Sequence, residues 1–270
     1  MTNFAIHGTP RSGSTWLGEI INSSPQVKYA FQPLFSFAFR GFLGDSSGKG
    51  DIDDFFRELA QSTDPFILQT RYREEGIFPT FQKSKVTHVG YKEVRFHNLL
   101  WNLARKTSDL RFIFIVRNPL ASLASWLKAP REFRSDLGWK AEEEWRYALK
   151  KNLNRPEEFN GFEKWKEATN LFLQLKERHP ARVFMLSYSH LINDTTSSTK
   201  ALFDFLELEI THQTSTFVDP PDDHPAASNP YGVFNRKQSD DSWKGILSES
   251  MVAEIYSDLE GTPLQQFLTS

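Results

Sequence analysis

The chain has 270 residues, 39% of them hydrophobic, and it contains no cysteine. This length and composition allow a sizeable core, so we expect one folded domain over residues 1–270. The lack of cysteine excludes disulfides, thiolate metal ligands and cysteine nucleophiles. The formal net charge is −2, which argues against a surface that binds nucleic acid and against a polybasic membrane anchor. Any anion-binding site must therefore be local.

Before its first predicted strand, the sequence shows no targeting segment in which basic residues are followed by an apolar run. It also has no apolar stretch near the roughly 20 residues that a membrane-spanning helix needs. We therefore expect a cytoplasmic protein without a membrane span, although the loss of an N-terminal anchor would leave the same pattern. The sequence does not indicate an oligomeric state.

The spacing of apolar residues predicts strands that alternate with helices. The predicted strands cover residues 4–7, 26–32, 86–92, 111–116 and 182–188. The predicted helices cover residues 16–22, 52–60, 99–103, 119–127, 157–178, 196–207 and 248–259. This alternation predicts an α/β fold: a single-domain parallel sheet flanked by helices. The spacing of Gly8 and Gly13 in the loop after the first strand indicates the P-loop-containing nucleotide-binding type. Ligands of such sheets bind beyond the carboxyl ends of the strands.

Two segments interrupt the alternation. Residues 35–85 show little periodicity outside the candidate helix, and we interpret them either as an excursion over the top of the sheet that shapes a substrate site or as variable surface. Residues 211–245 are rich in proline and aspartate near 218–225 and show no periodicity. A segment of this length without structure of its own usually has a function, and we predict a lid over the site.

The first strand leads into a loop framed by Gly8 and Gly13. This is the spacing of a nucleotide-binding P-loop, and Thr15 fills its Ser/Thr position, but Ser14 stands where that motif has lysine. Successive N–H groups in such a loop, with the positive end of the next helix, can surround one anion. In an NTPase the lysine reaches the β- and γ-phosphates, so its absence disfavours ATP or GTP hydrolysis. Arg11 supplies positive charge from within the loop.

Three further residues stand where strand ends predict contacts with a ligand. Arg117 follows a buried strand, and Ser125 lies about two helical turns further on, so both could reach a second phosphate. Tyr188 ends the last strand and could contact a base. Each residue also has an interpretation without a ligand. Arg117 could form a structural salt bridge, Ser125 could be a helix-surface serine, and Tyr188 could be a core residue.

Together these residues resemble the sulfotransferase family, whose members use 3′-phosphoadenosine 5′-phosphosulfate (PAPS). Residues 9–17 are similar to the family's loop for the 5′-phosphosulfate. The resemblance implies that the following residues bind the nucleotide there: Arg11, Ser12, Gly13, Ser14, Thr15 and Trp16. Residues 114–125 resemble the family's 3′-phosphate-binding segment, with Arg117 and Ser125 at the matching spacing.

Two later segments extend the resemblance over nearly the whole chain. Residues 186–191 are similar to the landmark in which an aromatic residue, here Tyr188, touches the adenine. Residues 235–244 resemble the basic, tryptophan-bearing loop that closes over the nucleotide in many members. That loop implies two further nucleotide contacts, Arg236 and Lys237.

The resemblance implies in-line transfer of a sulfuryl group from PAPS to a hydroxyl or amine of an acceptor, with adenosine 3′,5′-bisphosphate (PAP) as product. A sulfuryl group carries less charge than a terminal phosphoryl group, so we expect no metal, and the transition state needs mainly positioning and positive charge at the leaving oxygen. Lys92 occupies a position where many members place a basic residue on that oxygen. The alternative for Lys92 is a solvated lysine paired with Glu93.

The general base must be a carboxylate or imidazole within reach of the acceptor proton. Many carbohydrate-sulfating members have a glutamate shortly after the first helix, but Gln32 stands at the corresponding place here, and an amide cannot act as a base. The resemblance therefore leaves Glu93 as the predicted base and His97 as the second candidate. A structural pair of Glu93 with Arg95 or Lys92 is the alternative.

Two other functions stay open at this point. A divergent P-loop kinase or NTPase would need Mg²⁺ and a lysine from elsewhere, with Lys92 as the donor, whereas a non-catalytic nucleotide-binding protein would tolerate Gln32. The expected partners are a nucleotide co-substrate and a small-molecule or carbohydrate acceptor. Phenylalanines could line a cleft for a sugar ring, an aromatic or a lipid-like alcohol, or could be core: Phe31, Phe35, Phe37, Phe39, Phe42, Phe78 and Phe81.

Overall fold

A computed structural model describes residues 1–220, 233, 240–241 and 243–268. Its five strands form one parallel sheet in the order β2-β3-β1-β4-β5. The strands are β1 (Thr2–Gly8), β2 (Val27–Phe31), β3 (His88–Glu93), β4 (Arg111–Val116) and β5 (Val183–Ser187). The predicted α/β class and all five predicted strands are confirmed.

Helices connect the strands and follow the last of them. Those up to β4 are α1 (Ser14–Asn22), α2 (Lys49–Gln61), α3 (Thr70–Glu74) and α4 (Leu100–Lys106). Between β4 and β5 lie α5 (Pro119–Leu127), α6 (Ala141–Glu144), α7 (Leu149–Asn152) and α8 (Phe162–Arg178). After β5 come α9 (Tyr188–Asn193), α10 (Thr195–Leu206), α11 (His212–Val218) and α12 (Glu249–Leu259). No helix of the described chain is long and apolar enough to cross a bilayer.

Each face of the sheet is covered by its own apolar core. Successive strand residues point to opposite faces, so β1 sends Phe4 and Ile6 to one core and Ala5 to the other. The first core is closed by α1, α10 and α11, and the second by α2, α4, α5, α8 and α12. Burial on both faces explains why β4 reads as a continuous apolar run.

Asn118 and Pro119 fix the start of α5. The side chain of Asn118 accepts a hydrogen bond from the N–H of Leu120 at 2.9 Å, and Pro119 is the first helical residue. Further along the helix, Ser122 is buried and Ser125 is partly exposed. The capping orients α5 so that Ser125 lies on the ligand side of the sheet.

The two irregular segments contain more packed structure than their weak periodicity indicates. Within residues 35–85, α2 places Phe55 and Phe56 against Tyr91 of β3, with ring centroids 5.5 and 5.9 Å away, so this segment is not surface padding. The predicted lid contains an unpredicted helix, α11, which packs on the far end of α1. There Ser23 donates to the Thr214 hydroxyl at 3.0 Å, so α11 does not cover the loop at the start of α1.

Candidate functional site

An open cavity of about 1010 Å³ lies at the carboxyl ends of the strands. Residues at or just after the carboxyl end of each of the five strands line it, and these include Arg11, Gln32, Lys92, Arg117 and Tyr188. This is the edge at which a parallel α/β sheet binds its ligands. Side chains from α3, from the loop after α5 and from α7 complete the wall.

The loop after β1 has the backbone of an anion-binding turn. Gly13 has a φ of +88° and precedes α1, whose first N–H groups have no acceptor within the helix. A Cβ atom at Gly13 would lie 2.4 Å from Cδ2 of Tyr188, so only glycine lets the tyrosine ring approach the loop this closely. Ser14, Thr15 and Trp16 line the cavity at this point. Ser12 is buried behind the loop.

Arg11 connects this loop to the helix after β4. Its Nε donates to the hydroxyl of Ser125 at 3.1 Å, and its Nη1 lies 3.3 Å from Oε1 of Glu132. Ser125 is therefore a wall residue that contacts the loop and not an ordinary helix-surface serine. The loop and the 114–125 segment meet as their sequence pattern predicts.

Arg117 is buried where β4 ends. Its Nη1 donates to the carbonyl of Arg11 at 2.8 Å, its Nε donates to Asp240 at 2.8 Å, and its guanidinium lies 4.6 Å from the ring centroid of Tyr188. The salt bridge considered at the sequence level exists, but its carboxylate comes from the segment predicted as a lid. Arg11, Arg117, Ser125 and Tyr188 thus form one cluster.

Lys92 extends from the end of β3 into the cavity. Its Nζ lies 4.3 Å from the ring centroid of Phe31, and the residue is 2% exposed, so the solvated interpretation is wrong. Burial lowers the pKa of Lys92 to about 8, a shift that Glu93 and Glu132 oppose and Arg11 reinforces.

The structure does not bring Glu93 to the cavity wall. Adjacent strand residues point in opposite directions, so Glu93 turns away from the side on which Lys92 lies, and it is fully buried. One carboxyl oxygen accepts the N–H of Leu34 at 2.9 Å, which holds the backbone just after Gln32. Burial raises the pKa of Glu93. These features fit a carboxyl group that positions the chain behind the wall.

His97 also lies away from the cavity. Its Nδ1 is 2.9 Å from Nδ1 of His7, and its ring is enclosed by Phe159 and Phe172 at centroid distances of 4.4 and 5.2 Å. Burial lowers the pKa of both histidines, that of His7 to about 3. The 3₁₀ turn that begins at His97 directs it into the core, so it cannot reach an acceptor.

Sequence reasoning missed Glu132, a carboxylate on the cavity wall. Among the described residues, Glu132 and Glu75 are the two carboxylates that line the cavity. Glu132 lies in the turn after α5, beyond the last helical residue Leu127, so helical spacing from Ser125 gives no signal for the direction of its side chain. Gln32 also lines the cavity and adopts a left-handed backbone with a φ of +43°.

Arg236 and Lys237, expected at the nucleotide, lie outside the described residues. Of the predicted lid, Val233 lines the cavity and Asp240 pairs with Arg117. Within the described ranges no group of three or more His, Asp or Glu side chains could hold a metal ion.

Comparisons with known proteins identify solved structures with a similar fold. The chain is similar in structure to the mouse sulfotransferase SULT7A1 complexed with PAP, with 14% identity, a TM-score of 0.56, and coverage of 99% of this chain and 88% of that one. It is also similar to the sulfotransferase domain from the Curacin biosynthetic pathway, with 16% identity, a TM-score of 0.54, and coverage of 96% and 98%. A third similar structure is retinol dehydratase in complex with androsterone and inactive cofactor PAP, with 13% identity, a TM-score of 0.51, and coverage of 97% and 82%.

At these identities the structural similarities show a shared fold. No curated protein matches the chain in sequence. The family model described as "Sulfotransferase domain" matches residues 2–260, which is nearly the whole chain. The chain therefore belongs to the sulfotransferase family.

Proposed function

We propose that this protein transfers a sulfuryl group from PAPS to a hydroxyl or amine of an acceptor. One observation carries the proposal: the anion-binding loop after β1 shares a wall with Arg117, Ser125 and Tyr188. Two anion sites and an aromatic ring side by side suit a nucleotide with phosphate at two positions. PAP bound to the mouse sulfotransferase of the same fold supports this ligand.

We assign the two anion sites to different ends of the nucleotide. The N–H groups at the start of α1, with Arg11, would bind the 5′-phosphosulfate. Arg117 and Ser125 would bind the 3′-phosphate, since a guanidinium pairs with phosphate through two parallel hydrogen bonds. Tyr188 and Trp16 line the same wall and offer aromatic surface to the adenine.

The reaction breaks the bond between sulfur and the 5′-phosphate oxygen, forms a bond between sulfur and the acceptor, and releases PAP and a proton. Lys92 and Arg11 can stabilise the negative charge that develops on the leaving oxygen, because both are cationic groups on the cavity wall and Lys92 is buried. The wall also holds the two substrates in line, which lowers the entropic cost of the reaction.

We assign the role of general base to Glu132 and not to Glu93 or His97. Glu132 would accept the proton of the acceptor's hydroxyl or amine. Glu132 opens into the cavity with its side chain 27% exposed, beside Arg11 and within electrostatic range of Lys92. These cations face the position of the sulfuryl group, so the Glu132 carboxylate stands near the reacting centre. An anion bound at Arg11 would compete for its guanidinium and release the carboxylate to accept a proton.

Calorimetric titration separates this proposal from its alternatives. We expect PAP to bind without Mg²⁺ and more tightly than ATP with Mg²⁺, and we expect labelled sulfate to pass from PAPS to an acceptor in a mixed panel of alcohols, phenols and amines. Tighter binding of ATP with Mg²⁺ would instead support a kinase or NTPase. Tight PAP binding without transfer to any acceptor would support a non-catalytic nucleotide-binding protein.

A further inference from the structure

The cavity wall beyond the nucleotide cluster carries an excess of positive charge. Its basic side chains come from α3, from the end of β3, and from the segment between α5 and α7: Arg71, Arg95, Lys128, Arg131 and Lys151. Apart from Glu132, the described part of this wall has one carboxylate, Glu75. The whole chain has a formal charge of −2, so this cationic surface is a local feature.

Most of these cations have a partner in the protein. Nε of Arg71 lies 2.7 Å from Glu75, and Nε of Arg95 lies 3.3 Å from Glu158. Arg131 donates to the hydroxyl of Tyr72 at 2.7 Å. These contacts satisfy the arginines within the protein.

The two lysines differ from the arginines. Neither Lys128 nor Lys151 has a side-chain hydrogen bond or ion pair with any residue in the described ranges. Lys151 is half-buried, and burial together with the neighbouring Arg95 lowers its pKa. Glu158 and Glu132 oppose that shift, but neither forms an ion pair with Lys151, so an anion placed against this side chain would add a pairing that the described residues do not supply.

Aromatic side chains form the rest of this wall. The rings of Phe35 and Phe66 lie 6.0 Å apart and are 47% and 39% exposed, and Phe31 lies 6.1 Å from Phe66. Arg95 stacks 4.2 Å from the ring centroid of Phe35. Exposed aromatic rings inside a cavity are typical of a surface that binds a ligand.

We infer that the acceptor is an anionic molecule with an apolar or aromatic ring. Its carboxylate or equivalent anion pairs with Lys151 and Lys128, its ring lies against Phe35 and Phe66, and its hydroxyl or amine is directed toward Glu132. This inference rests on the proposed function for the identity of the transferred group, but the binding preference itself does not require turnover. A neutral or cationic acceptor would leave both lysines without a counterion.

The test measures binding of matched ligands to the PAP-saturated protein. The probes are 4-hydroxyphenylacetate and its neutral amide, together with the same acid and amide pair built on a hydroxynaphthyl ring. We expect each acid to bind about tenfold more tightly than its amide at low salt, which corresponds to one charge-assisted contact. Higher salt should reduce the difference, because salt screens partly exposed charges.

Lysine variants identify the part of the cavity that makes this distinction. Lys151→Gln and Lys128→Gln should weaken binding of the acids and leave binding of the amides unchanged. The control is Lys200→Gln, which removes the same charge from a lysine paired with Asp204 on the surface of α10, and it should change neither affinity. Equal affinities of acid and amide, or no binding of either acid, would overturn the inference.

This experiment distinguishes failure of the proposed sulfotransferase function from failure of the inference about an anionic acceptor. Titration of PAP comes first, and absence of PAP binding would contradict the proposed function. The acids and amides are then titrated into the free protein, so the preference for an anion is measured in either case.

Discussion

The proposed nucleotide end and the proposed acceptor end of the cavity differ in how their positive charges are paired. At the nucleotide end each key arginine is paired with a carboxylate of the chain, Arg117 with Asp240 and Arg11 with Glu132. At the acceptor end Lys128 and Lys151 have no such partner in the described ranges. Under the proposed function, a nucleotide would displace internal carboxylates to bind, whereas an anionic acceptor would add an ion pair that the described residues do not supply.

The largest expected effect is that of Glu132→Gln. If Glu132 is the base, we expect kcat to fall at least ~100-fold, because general-base catalysis contributes about 10²- to 10⁴-fold. Affinity for PAP should change little, and Glu75→Gln, at the other carboxylate of the wall, should retain activity. Steady-state sulfate transfer measures both. If Glu93→Gln abolishes turnover and Glu132→Gln does not, the base is Glu93 after all.

Arg117→Ala should have the next largest effect. Loss of a buried charge-assisted contact to the 3′-phosphate should weaken PAP binding by about 2 kcal/mol, or about 30-fold. Arg111→Ala is the matched control, since Arg111 begins the same strand and pairs with Glu207 at the opposite end. If calorimetry shows unchanged PAP affinity for Arg117→Ala, then Arg117 does not bind the nucleotide.

The third prediction concerns the pH dependence of kcat/KM for PAPS. Burial lowers the pKa of Lys92 to about 8, so the side chain is protonated below that pH and loses its charge as pH rises through it. We therefore expect kcat/KM to fall about tenfold between pH 8 and pH 9.3, as the cationic fraction of such a group does. Lys92→Arg should move this decline to higher pH. A decline that begins above pH 10 in the unmodified protein would show that Lys92 is not the group concerned.

The smallest effect is expected from Asp240→Asn. Asp240 occupies the edge of Arg117 that a phosphate would take, so its neutralisation should tighten PAP binding by about 1 kcal/mol, or about fivefold. Asp241→Asn is the control, since Asp241 is exposed and pairs with Lys244. Weaker PAP binding by Asp240→Asn would mean that Asp240 supports the bound state.

The meeting of Arg11, Arg117 and Tyr188 could be predicted because these residues follow strand ends. Arg11 follows β1, Arg117 follows β4 and Tyr188 follows β5, and parallel strands bring these ends together whatever the rest of the chain does. The spacing from Arg117 to Ser125 was equally informative, since Asn118 and Pro119 fix the start of the helix between them.

The carboxylate on the cavity wall that we propose as the base could not be predicted from neighbours in the sequence. Lys92 and Glu93 are adjacent, but strand alternation sends one into the cavity and the other behind its wall. Glu132 reaches the site from an irregular turn, where no periodicity reveals the direction of a side chain. The same limit applies to α11, a short helix in a segment without an apolar repeat, for which the cap at Thr211 was the main signal.

The buried contact between His7 and His97 should make the stability of the fold depend on pH in the acidic range. Both imidazoles are enclosed, and their pKa values are lowered by burial, so in the folded protein they stay neutral where the unfolded chain, with an ordinary value of 6.5, takes up protons. Stability from this pair is present above about pH 6.5 and is lost as pH falls below it, by up to about 1.4 kcal/mol per pH unit for each group. Unfolding midpoints recorded from pH 7.5 to pH 5 measure this loss. We therefore expect stability at acidic pH to depend on two core side chains that do not line the cavity.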